Sequence, residues 1–81
     1  MSEVKATPEA IESAVQGVAS AIIEDEGIWF TLGAAPSAAD VVSAVAPRII
    51  DLLARFRLDD KSLADAYMRL MEMMLVHARS K

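Results

Sequence analysis

Apolar residues recur along this chain at helical spacing. Ile11, Val15, Val18 and Ile22 are separated by four, three and four residues, which draws one narrow stripe along a helix. Thr7-Pro8-Glu9 reads as its start. Threonine caps, proline fits the first helical position, and an acid suits the positive end of the helix dipole. Ala10, Ala14, Gly17 and Ala21 lie beside the stripe as a small-residue edge that admits a second helix. Gly27 is the natural stop, so a first helix is predicted over 8–26, after a flexible leader at 1–6.

The period breaks between Gly27 and Pro36. Ile28-Trp29-Phe30-Thr31-Leu32 is β-favouring, but no second strand is available to pair with it. The segment 27–36 is therefore expected to be an apolar connector, extended or with one helical turn, laid on a bundle. Ser37-Ala38-Ala39-Asp40 then has capping-box spacing. Val41, Val42, Val45, Ile49, Leu52, Leu53 and Phe56 share one broad face beyond it. That face stays in phase across Pro47, which predicts one helix over 37–57, kinked where the bond to the Ser43 carbonyl is lost.

Asp59 is the next N-cap, with Leu58 and Leu63 placed as a hydrophobic staple. The helix predicted over 60–78 carries Leu63, Tyr67, Leu70 and Met74 as its main stripe. Met71 and Leu75 widen it on one side, with Met68 at the margin, and Met73 widens it on the other. The apolar arc spans roughly 200°, about twice what a single interface needs. The sum is an all-α single domain over 7–81, a small antiparallel three-helix bundle whose last helix has apolar surface to spare.

Composition narrows the function. The chain has 81 residues, 54% of them apolar, with 12 acids against 8 bases and no cysteine. So apolar a chain is not intrinsically disordered. Without cysteine there is neither a disulfide nor a thiolate nucleophile. A net charge of −4 argues against nucleic-acid binding. No apolar run approaches the ~20 residues of a membrane span, and Met1-Ser2-Glu3-Val4-Lys5 lacks the pattern of a secretory signal. A cytoplasmic protein is expected. Charge is uneven: residues 1–40 hold seven acids and one lysine, residues 41–81 five acids and seven bases. Such a dipole favours antiparallel or head-to-tail contact between chains.

No catalytic set emerges. His77 stands alone near the end of the last helix, where the dipole favours a cation. Glu24-Asp25-Glu26 would oppose the dipole at a helix C-terminus, and Arg48, Arg55 or Arg57 are its expected partners. It lacks the alternating ligands and glycine of a calcium loop. Neither a metal nor a cofactor is expected.

Leu32-Gly33-Ala34-Ala35-Pro36-Ser37-Ala38 resembles the modification site of acyl carrier proteins, in its Leu-Gly and its serine at a helix start. That likeness implies a phosphopantetheine attached to Ser37. It covers seven residues and departs from the family's Asp-Ser-Leu at both neighbours, Pro36 and Ala38, which puts recognition by a transferase in doubt. The main expectation is a non-enzymatic protein–protein interaction module: an adaptor, inhibitor or assembly subunit that binds a protein partner, itself as a homodimer or higher oligomer, or both. The expected contact residues are Ile28, Trp29, Phe30 and Leu32 on the connector and Met68, Met71 and Leu75 on the last helix.

Overall fold

A computed structural model describes residues 6–80. The fold is all-α: α1 is Pro8–Ile23, α2 is Glu26–Leu32, α3 is Ala38–Leu53 and α4 is Asp60–Arg79. The expected leader lies, except for Ala6, outside the described residues. Ala6 is half-buried, and its amide donates to Oδ1 of Asp59 at 3.1 Å.

Each long helix starts where a side chain meets an orphan amide. Thr7 Oγ1 accepts from the Ala10 amide, Ser37 Oγ from that of Asp40, and Asp59 Oδ2 from that of Ser62. The boundaries at the other ends differ from the sequence reading. The first helix stops at Ile23, not 26, because Asp25 caps a new one: its Oδ1 accepts from the Ile28 amide at 3.4 Å. Gly27 is thus inside a helix. A Cβ there would stand 3.3 Å from Asp25 Oδ1, so glycine leaves the cap its room.

The connector expected at 27–36 is for the most part the helix α2. It ends at Gly33, which takes a φ of +74° that glycine adopts without penalty. The acidic run is thereby relieved. Only Glu24 closes α1, whereas Asp25 and Glu26 sit at the start of α2, where the dipole favours negative charge. Similarly, the helix expected over 37–57 ends at Leu53, leaving Phe56 and Arg57 in the turn to α4. It does run unbroken through Pro47, which is exposed.

Helix direction follows from a few contacts. Ala6 meets Asp59, and Glu12 Oε1 accepts from the Arg69 guanidinium at 2.8 Å, so residue numbers rise together and α1 runs parallel to α4. Asp25 pairs with Arg48 at 3.5 Å and Gly17 lies against the Phe56 ring, so α3 runs the opposite way. This is an up-down-up bundle, with α2 laid against α3. Its core is Val15, Val18 and Ile22 from α1, Val41, Val45, Ile49 and Leu53 from α3, and Leu70 and Met74 from α4. The small-residue edge of α1 behaves differently from expectation. Ala14 is buried and Ala10, Gly17 and Ala21 are exposed; Ala14 and Ala19 flank the stripe from opposite sides instead. On α4 the buried line is Ser62, Ala66, Leu70, Met74 and Ala78, a step of four throughout. Leu63, Tyr67, Met71 and Leu75, expected at or beside the centre of the stripe, are therefore half-buried at its edge.

Candidate interaction surface

The residues singled out on the connector divide sharply. Trp29 is buried, 5% exposed, while Phe30 is 89% exposed. Successive residues on a helix point about 100° apart, and here the Trp29 ring enters the bundle as the Phe30 ring leaves it. Ile28 and Leu32 are half-buried against the core. Trp29 Nε1 donates to the Ile22 carbonyl at 2.9 Å, and its ring meets His77 edge-on at 4.7 Å between centroids. The lone histidine is thus packed on an indole. Phe30 shares a shallow hollow with Ile23, Glu26, Trp29 and His77 at that end of the bundle.

On α4 the methionines span the whole range of burial. Met74 is fully buried, Met71 and Met73 half-buried, and Met68 69% exposed. Met68 borders a groove of about 380 Å³ between α3 and α4. Ile50, itself 59% exposed, is on the opposite bank, and Tyr67, Leu63 and the small side chains of Ala54 and Ala64 line the space between. The alanines make the groove, because each offers only a methyl where a longer side chain would fill the gap.

The two groups do not form one patch. His77, beside Phe30, is nine residues beyond Met68, which is two and a half turns. The two side chains therefore leave α4 on opposite sides, about 13 Å apart along its axis. Met71 and Leu75, in contrast, fall on the Met68 side. Lys61, Met68 and Leu75 recur every seven residues, with Ala64 and Met71 between them. That is heptad spacing, but its members differ in exposure: Lys61, Ala64 and Met68 are exposed on the outside of α4, whereas Met71 and Leu75 are half-buried against the edge of the core.

Ile50, Ala54 and Ala64 were not expected in such a site. Their signal in the sequence is faint: one large apolar residue on the Pro47 side of α3, and two alanines that look like ordinary helix formers. Ser37 is exposed, and its hydroxyl is occupied as a cap.

Electrostatics around the bundle are local. Asp59 has its carboxyl lowered to about 2, first by the Ser62 hydroxyl at 2.7 Å and then by the Ala6 amide. Glu12 is held below its ordinary value, chiefly by its hydrogen bond from Arg69. No helix among the described residues is long and apolar enough to cross a membrane. No protein-family model matches the chain, and neither does any curated protein or solved structure.

Proposed function

We propose that this protein is a small non-enzymatic interaction module of the cytoplasm, which binds another protein chain through the outer face of α4 and the adjoining α3–α4 groove. One observation carries the reading: exposed Met68 on α4 and exposed Ile50 on α3 stand on opposite banks of an apolar groove lined by Leu63, Tyr67, Ala54 and Ala64. Isolated exposed apolar residues are common on protein surfaces, but large exposed apolar side chains on both banks of a concave apolar site mark a contact region. Met68 supplies the adaptable, polarisable side chain frequent on such surfaces.

The test is a photo-reactive amino acid at position 68 in the cells that make the protein, with exposed Gln16 as the control position. A protein adduct at 68 and none at 16 is the expected outcome. Equal or absent labelling at the two positions would remove the reading.

A further inference from the structure

Resting on that reading, we infer that the occupant of the α4 face is a second copy of this chain, docked antiparallel about a twofold axis that crosses the Met68 face of α4 at the level of residue 66.

The face is self-complementary. Met68 is the knob, and Ala64, one turn before it, is at the mouth of the hole. Between copies related by a twofold axis, residue i meets j and j meets i. Seating Met68 of each copy over Ala64 of the other, against the Ile50 and Ala54 wall, uses both features at once. It fixes the axis at their midpoint, residue 66.

An independent pair gives the same register. Lys61 and Glu72 are exposed on this face, and among the described residues neither forms a salt bridge within its own chain. Eleven residues separate them, so at 100° per residue they point only about 20° apart. In antiparallel helices, residues on the same flank meet. Pairing Lys61 with Glu72 of the second copy puts the axis midway between residues 66 and 67. The apolar and ionic pairings thus agree to half a residue, about 0.75 Å of helix rise. A parallel arrangement would instead oppose Lys61 to its own mate. The antiparallel register also carries a repulsive contact, because Asp65 of each copy falls beside the axis on the same flank.

The experiment measures dimerisation of the intact chain by light scattering and analytical ultracentrifugation from micromolar to millimolar concentration. The wild type is expected to dimerise. Lys61→Glu and Glu72→Lys, both surface changes, should each weaken the dimer by on the order of 10-fold. Mixed together, those two variants should prefer the heterodimer, since both cross-pairs are then attractive. Asp65→Asn should tighten the dimer, and Met68→Glu should weaken it by roughly 30-fold or more. A dimer that is lost with Met68→Glu but ignores the charge exchanges overturns the register and leaves the binding face intact. A dimer indifferent to Met68→Glu overturns both. A monomer at every concentration overturns the second copy as occupant, and the adduct at position 68 then separately decides whether the face binds a different protein.

Discussion

The indole nitrogen of Trp29 donates to the carbonyl oxygen of Ile22 at 2.9 Å, an oxygen that also accepts from the Asp25 amide at 3.0 Å. A carbonyl in the last turn of a helix has no partner further along it. Here both of its lone pairs are used, one by the turn and one by a side chain seven residues on. The same indole then packs on His77 of α4, so one residue joins the end of α1 to the end of the last helix.

Trp29→Phe should keep part of the ring's packing and lose the hydrogen bond. The Ile22 oxygen still has the Asp25 amide, so the lost bond should cost about 1 kcal/mol, with about 1 kcal/mol more for the smaller ring. Trp29→Ala also removes the ring and should cost about 3–5 kcal/mol, a large part of a small domain's stability. Urea titrations followed by circular dichroism separate the two.

Phe30→Ser should leave stability within about 0.5 kcal/mol of the wild type, because the ring is exposed and buries little. A marked drop in the urea midpoint would place Phe30 in the fold after all.

Trp29 and Phe30 show where the sequence was not readable. Adjacency allows one ring to enter the core while the other leaves it, but it equally allows both to fold down, as Ala14 and Val15 do on α1. The helix itself was harder to see, because Asp25 reads equally well as the last residue of one helix or the cap of the next. Its side-chain bond to the Ile28 amide settles that locally. All three long-helix N-caps were legible, since capping depends on residue type and short spacing. The core line of α4 holds at Leu70 and Met74 but starts one residue earlier than expected, at Ser62 and Ala66 in place of Leu63 and Tyr67. Small Ser62, Ala66 and Ala78 occupy it, and hydropathy gives them little weight beside Leu63 and Tyr67. The groove depends on Ala54, at the end of α3, and Ala64 of α4 lining one space, which one-dimensional periodicity does not encode.

Acid should loosen the contact between the chain before α1 and the start of α4. The Asp59 carboxyl titrates at about 2 when folded, below its ordinary value of 3.8. Its folded form therefore gains stability from the charged state at pH above about 4, and loses it as the pH falls from there towards 2. Asp59→Asn still caps but does not titrate. The difference in thermal midpoint between the two proteins should shrink across that interval and stay constant from pH 5 to 7.

Ser37 should remain unmodified when the protein is incubated with a phosphopantetheinyl transferase and coenzyme A. Intact mass is the readout, and a gain of the cofactor arm would instead support carrier function. Ser37→Ala should cost about 1 kcal/mol through loss of the cap to Asp40.

Ala35 has a φ of +52°, a left-handed conformation that strains a residue with a Cβ by about 1–2 kcal/mol. Ala35→Gly should recover part of this, about 0.5–1 kcal/mol after the added freedom of the unfolded chain is subtracted. An unchanged or lower denaturation midpoint would mean that the loop relaxes around alanine.

Chain connectivity also orders the assembly of the bundle in time. The α3–α4 hairpin closes across a short turn, whereas α1 reaches α4 through contacts such as Glu12–Arg69, distant by most of the chain. Closing the longer loop carries the larger entropic barrier, so we expect the hairpin to form first and α1 to dock last. Pulsed hydrogen exchange would then find α3 and α4 protected before α1. The hairpin holds both walls of the groove and the Met68 face of α4. On the proposed pairing of two copies, a nascent chain would have its docking face complete before α1 is in place.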